Sequence, residues 1–211
     1  MLAMDSRHEG DNLGAGLGHG DRCPHCGRPP VDIVTGLADR WTWEERAPIS
    51  LRRALLRGCP VAVLVADVDG FKRINTDHGH PAGDVILRAI ADVARCAVRP
   101  DDLVCRAGGN SDEILILLTS ADATLATSVA GQMRAAVAEL AVTVPTHTGA
   151  RTVDQLSISV GYCVYDPLIA QVADEADDAP DLDQLVLAAD AALLSVQAAG
   201  GGVWPVYWSA R

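Results

Sequence analysis

Apolar residues fill every position from Val61 to Ala66, in the stretch "VAVLVAD". A short, Val-rich run without polar alternation predicts a central strand covered on both faces. It gives way to "DVDGFKRINTDHGHPAGD", which reads as a polar loop followed by a helical segment. From Ala82, apolar residues recur at 85, 86, 89, 90, 93, 94 and 97, which is helical spacing. "DLVCRAGG" and "ILILL" predict two strands of a hairpin, with Asn110, Ser111, Asp112 and Glu113 at its tip. Leu125, Val129, Met133 and Val137 then mark one face of a second helix. "AVTVPTHTGARTVDQLSISVGYCVY" predicts two strands joined by a polar, Gly-containing loop. Leu182, Leu185, Val186, Ala189, Leu193 and Val196 mark a last helix, and "GGGVWPVYW" a closing strand. Upstream, an amphipathic stretch reaching Arg57 predicts a helix that Pro48 breaks. The order β-α-β-β-α-β-β-α-β fits one sheet with helices packed on it. No internal repeat is present.

Composition narrows the class. With 211 residues and 49% apolar content, the chain is long enough for one domain with a real core, plus a tail. Residues 1–20 are rich in Gly, His and Asp without periodicity and read as a disordered tail. Residues 21–30 form a compact turn segment, and 31–207 the folded domain. No apolar run reaches the length needed to span a bilayer. "MLAMDSRHEG" lacks a charged region followed by an apolar one, so no signal peptide is expected and the cytoplasm is the expected location. A net charge of −11 argues against nonspecific nucleic-acid binding. Much of the acid is local, in "DPLIAQVADEADDAPDLD", which reads as a solvated loop. Cys59, Cys96, Cys105 and Cys163 fall singly in apolar segments and read as small core residues.

Candidate chemistry gathers around Asp67 and Asp69, at the C-terminal end of the best strand, where ligands collect in open α/β sheets. Asp67 with a carboxylate from the hairpin would make a sparse Mg²⁺ site, completed by waters and phosphate oxygens. The alternative is that Asp67 caps a loop and Asp69 pairs with a nearby base.

"DIVTGLADR", "DVDGFKRIN", "HGHPAGD", "RAGG" and "DE", in this order, resemble the GGDEF domain of diguanylate cyclases over about residues 32–205. The resemblance implies a palm-like α/β fold: a central, mostly antiparallel five-stranded sheet with flanking helices. Active members condense two GTP molecules into cyclic di-GMP with Mg²⁺ at the interface of two subunits, so a homodimer is implied. Residue by residue, Asp67 and the backbone carbonyl of Val68 resemble the Mg²⁺ ligands. Gly70 and Phe71 resemble the phosphate-approaching loop, with Lys72 beside it, and Asn75 and Asp84 the pair that reads guanine. Asp112 and Glu113 resemble the catalytic signature carboxylates.

Departures from the family bear on turnover. Asn110 and Ser111 lengthen the signature, and Ile114 replaces its Phe. Aligned from the glycines, Asn110 takes the metal position; aligned from the strand, Asp112 does. The family's last helix carries a Lys and an Arg that grip phosphates; here Gln197 and Gly201 stand in their places. Thr76 replaces an Asp after the base-reading Asn. Arg99 and Asp102, in "RPDD", resemble the Arg-x-x-Asp inhibitory site that binds cyclic di-GMP; "RPDD" is also good turn chemistry. The expected function is therefore a degenerate GGDEF protein that binds guanine nucleotide or cyclic di-GMP and acts through a protein partner. The alternative is a working cyclase with an unusual loop.

"CPHCG" supplies half of a tetrahedral Zn²⁺ site through Cys23 and Cys26, with His19 and His25 as further candidates. A flexible turn with free thiols or a redox pair remains the alternative.

Overall fold

The computed structural model describes residues 30–109, 111–146, 149–172 and 179–208. Cys23, Cys26, His19, His25, the 1–20 tail and Asn110 lie outside the described residues. The elements run α1 (Arg40–Leu56), β1 (Val61–Val68), α2 (Phe71–His78), α3 (His80–Ala97), β2 (Leu103–Arg106), β3 (Ile114–Thr119), α4 (Ala123–Ala138), β4 (Val142–Thr146), β5 (Gly149–Val153), β6 (Ile158–Tyr165), α5 (Pro167–Val172), α6 (Leu182–Ala198) and β7 (Val203–Tyr207).

Five strands form the main sheet in the order β2-β3-β1-β6-β7. β1 is central and antiparallel to both neighbours, β2 pairs antiparallel with β3, and β7 runs parallel to β6. The apolar run behaves as its composition demands. Ala62, Leu64, Ala66 and Val68 pack on one face with Ile86 and Ile90 of α3 and Val129 and Met133 of α4. Val61, Val63 and Val65 pack on the other with Trp43 and Leu51 of α1 and Leu185 and Leu193 of α6. Each fully buried large side chain contributes roughly 1.5–3 kcal/mol. The period of two also sends Asp67 to the α1/α6 face, in line with Val65.

α6 lies close against β6. A Cβ at Gly161 would sit 2.1 Å from the Leu193 backbone nitrogen and 2.4 Å from the Ala189 carbonyl oxygen, so only glycine fits under the helix. Helix starts follow local chemistry. The Asp39 carboxylate accepts from Thr42 N at the start of α1, and Asp181 forms a capping box with Gln184 at the start of α6.

The structure differs from the sequence pattern in four places. α1 runs unbroken through Pro48. Pro48 and Glu44 both face solvent, so water can solvate the Glu44 carbonyl that the missing N–H leaves free. The polar loop after β1 is already helical as α2, which Gly79 divides from α3. The segment after α4 holds three strands rather than two: β4 and β5 form a separate hairpin ahead of β6. Part of the acidic stretch folds as α5. Of the four cysteines, Cys105 and Cys163 are core residues whose thiols burial pushes up to about 12, whereas Cys59 is half-buried and Cys96 exposed.

Candidate functional site

β1 ends at Val68 and the chain turns at once into α2. Gly70 makes the turn at φ 70°, in the left-handed region, and its carbonyl accepts from Arg73 N and Ile74 N. This places Phe71 and Asn75 one helical turn apart, beside Asp84 on α3. The three side chains line a pocket of about 530 Å³ together with His80, Leu87, Arg106 and Gly109. Gly83 allows the helices to meet there: a Cβ at that position would lie 2.0 Å from Asn75 Oδ1 and 3.0 Å from the Phe71 ring. Among the described residues, Asn75 Oδ1 is buried and without a donor, a state that costs on the order of 1–3 kcal/mol when nothing satisfies it. Lys72 stands on the same turn of α2 and is exposed.

On the other side of β1's end, acids converge. Continuing the register Ala66↔Ile114 places Glu113 across from Asp67. Burial first, then the charges of Asp112, Glu113 and Asp69, push the Asp67 carboxyl up to about 6, against a hydrogen bond from Gln197 that lowers it. That bond runs from Gln197 Nε2 to Asp67 Oδ1 at 3.0 Å. Among the described residues, Asp69 pairs with no base. It accepts from Ser157 Oγ and Ser159 Oγ, both at 2.7 Å. The alternative reading of Asp69 is thereby corrected: Ser157 and Ser159 lie two residues apart beside β1, so both hydroxyls reach one carboxylate.

Arg106 has a structural task that its motif did not reveal. It is 4% exposed. Its Nη1 donates to both Asp32 oxygens at 3.2 Å and its Nε to the Ser111 carbonyl at 2.8 Å. Asp32 also accepts from the Thr35 backbone and hydroxyl. Burial works against its ionised form, but the Thr35 hydrogen bonds and the Arg106 charge hold its carboxyl below the usual range. The "DIVTGLADR" turn is thus tied to the signature hairpin. The signal lay in "VCRAGG": an arginine inside an apolar strand needs a partner. His80, Leu87, Ser157 and Ser159 carried no comparable signal.

Arg99 and Asp102 lie at the start of β2, the opposite end from the hairpin tip. The Asp102 carboxylate accepts from Arg99 N, Thr119 N and the Thr119 hydroxyl, so it closes a turn, while the Arg99 side chain is exposed.

A mixed five-stranded sheet with helices on both faces, and an Asp-x-Asp strand end facing a Gly-Gly hairpin, defines a nucleotide-cyclase-like α/β domain. The chain belongs to the GGDEF family: the profile of "Diguanylate cyclase, GGDEF domain" matches residues 30–202. It is 35% identical to the diguanylate cyclase DosC of Escherichia coli over 153 residues, 69% of this chain and 32% of that protein. It spans about a sixth to a third of the length of the curated relatives it matches. Among solved structures it resembles the diguanylate cyclase SiaD of Pseudomonas aeruginosa in complex with its activator SiaC, with TM-score 0.69 and 31% identity, covering 84% of this chain and 61% of that one. The GGDEF domain of DgcB from Caulobacter crescentus in complex with c-di-GMP shares the fold, with TM-score 0.71 and 21% identity over 83% of this chain and 95% of that one. The chain is thus a GGDEF domain of the cyclic di-GMP signalling family. Among the described residues no helix is long and apolar enough to cross a membrane.

Proposed function

We propose that this chain is a degenerate GGDEF domain that binds guanine nucleotide or cyclic di-GMP, with weak or no cyclase turnover, and acts through a protein partner. The observation that carries this reading is the Gln197–Asp67 hydrogen bond. A neutral amide occupies the position from which a lysine would grip phosphate, and it engages the carboxylate meant for the metal. Gly201 offers no side chain in place of the second cation. Charge-assisted hydrogen bonds contribute roughly 1.5–3 kcal/mol each. Losing two costs on the order of 10²–10⁴ in triphosphate affinity.

Base recognition is retained. Asn75 has an amide oxygen wanting a donor, and Asp84 an acceptor carboxylate, on one pocket with the Phe71 ring. The guanine edge offers N–H donors to both. The donor set also fits Mg²⁺: burial and then crowded carboxylates hold Asp67 up at about 6, and a hard cation would relieve that crowding. Asp67, the Val68 carbonyl and Asp112 would hold it, and when bound it would neutralise phosphate charge. Gly70 and Phe71 present the backbone turn to the phosphate, with Lys72 beside it. Glu113, across from Asp67, is the remaining catalytic candidate. Arg99, exposed beside an Asp102 that is committed to its turn, is the arm available to cyclic di-GMP at the inhibitory position. Catalysis in this family's manner needs two sites facing each other, so a homodimer accompanies any turnover.

The working-cyclase reading keeps one observation in its favour: Asp112 and Glu113 both act on Asp67 despite the longer hairpin. Incubation with GTP and Mg²⁺ separates the two. The expected outcome is little or no cyclic di-GMP, with calorimetric binding of guanine nucleotide or cyclic di-GMP. Steady product formation abolished by Asp67→Ala would overturn the degenerate reading.

A further inference from the structure

The outer face of α1 and α6 carries apolar side chains that the core beneath does not use. Both helices cover one side of the sheet and pack Trp43, Leu51, Leu185 and Leu193 inward. Outward, each shows an apolar line with a spacing of seven. On α1 it is Ile49 and Leu56, 59% and 79% exposed; on α6 it is Leu187 and Leu194, 69% and 60% exposed. Ala191 and Ala198, also exposed, extend the line on α6. Residues seven apart share one face of a helix. Four large apolar side chains on two neighbouring helices exceed the single, scattered exposure of an ordinary surface.

The charges beside the two lines have opposite signs. α1 carries Arg52, Arg53 and Arg57, all exposed, with Glu45 as the acid nearest the line. Among the described residues none of these three arginines is in an ion pair. α6 carries Asp183 and Asp190 and no Lys or Arg in its 17 residues. Each helix thus supplies the charge that the other lacks, and the surface they share is complementary to itself.

We propose that this face pairs two copies of the chain, with α1 of each lying on α6 of the other. Arg52 shares a cleft of about 370 Å³ with Asp181 and Leu182. Arg40 shares one of about 410 Å³ with Glu113, Asp183, Leu187 and Asp190. The two helices therefore run antiparallel, the second half of α1 level with the start of α6. A twofold axis along the seam between them exchanges the helices and keeps that level. Arg52 and Arg53 of each copy then approach Asp183 of the other, and Ile49 approaches Leu187. The apolar centre excludes water and the charges beside it fix the register. This contact is separate from the meeting of hairpin tips that turnover needs. It borders Glu113 through the second cleft, and it leaves Asn75 and Asp84 uncovered, since α2 and α3 pack on the other side of the sheet.

Sedimentation equilibrium of the full chain, without nucleotide or Mg²⁺, from micromolar to millimolar loading, tests this independently of the guanine-site reading. The expected result is a reversible monomer–dimer equilibrium. Leu187→Asp should weaken it. The charge-reversed pairs R52D/R53D and D183K/D190K should each weaken it at least about tenfold, because like charges then meet in both halves of the symmetric contact. Mixing those two variants should restore pairing as a heterodimer, in which every contact again joins opposite charges. Thermal melts by circular dichroism confirm that each variant is folded. A monomer at every concentration overturns the proposal and leaves the face to another chain. A dimer that none of the variants weakens uses a different surface and overturns it as well. So does the absence of a heterodimer on mixing the two folded charge variants.

Discussion

Gln197 and Asp67 share a hydrogen bond across 130 residues of sequence, and its acceptor is poised to titrate. Burial and the neighbouring carboxylates raise the folded-state pKa of Asp67 from 3.8 to about 6. The folded state therefore binds a proton more tightly than the unfolded state. The contribution to stability is full below about pH 4 and is lost as pH rises through about 6. Asp67→Asn keeps the acceptor for Gln197 and removes the charge. Asp67 is only half-buried, so solvent screening holds the expected gain at pH 7.5 to about 1 kcal/mol, or about 2–4 °C in melting temperature for a chain of this size. The gap between variant and wild type should narrow by pH 5. A constant gap in melts at the two pH values would show that Asp67 does not titrate in this window. Mg²⁺ should raise the wild-type midpoint at pH 7.5 and leave Asp67→Asn unmoved. The candidate carboxylates were legible from their types and from the strand they end. The Gln197 contact was not, because no local spacing relates the end of α6 to the end of β1. Nor was Asp69's pairing with two serines, since Ser-Ile-Ser in a strand reads the same whether its hydroxyls meet a carboxylate or water.

At the scale of elements, apolar runs and helical spacing announce β1, β3, α3, α4 and α6 in the sequence. What pattern reading misses are segments held by context. β5, "GARTV", is almost wholly exposed, so no burial pattern betrays it; it exists by pairing with β4. α1 survives Pro48 because its buried face of Trp43, Ala47, Leu51 and Ala54 outweighs one lost hydrogen bond on the wet side. Gly83 shows how helix contact and site are linked. In Gly83→Ala the new Cβ would overlap Asn75 Oδ1, the far end of a flexible side chain, rather than backbone. Alanine also favours the helix by about 0.8–1 kcal/mol over glycine. The expected outcome is a denaturation midpoint changed by less than the equivalent of about 1 kcal/mol, with guanine-nucleotide affinity reduced at least tenfold as Asn75 is displaced. Titration of folded Gly83→Ala with unchanged affinity would remove Asn75 from the base pocket.

Across the whole molecule, the site depends on a tie between the first described turn and the sheet edge. Ala38 N donates to the Val104 carbonyl and Arg106 N to the Ala38 carbonyl, so Ala38 bridges the opening turn to β2. Inside that contact, Asp32 and Arg106 form a buried pair with side chains 11% and 4% exposed. Arg106 reaches onward to the Ser111 carbonyl and lines the base pocket. One guanidinium thus joins the opening turn, the lengthened hairpin and the pocket wall. Removing one member of a buried pair leaves the other charge uncompensated, which typically costs about 3–5 kcal/mol. Asp32→Ala should therefore lower unfolding free energy by about that amount at pH 7, and it should loosen the hairpin that carries Asp112 and Glu113. Arg106→Met in the same background should recover part of the loss, because it removes the stranded charge while filling the same volume. Urea denaturation of the wild type, both single variants and the double variant measures the coupling directly. A double variant as unstable as the sum of the single losses would mean the two residues act independently. The folded Asp32 pKa also lies below its ordinary value, so the pair's contribution is present above about pH 4 and is lost as pH falls through that depressed value. The wild-type advantage over Asp32→Ala should therefore shrink in acid. Asp67 runs the other way, since the wild type's deficit against Asp67→Asn closes as pH falls toward 4, and the opposite signs let one pair of pH-dependent melts separate the hairpin's anchor from the carboxylate it serves.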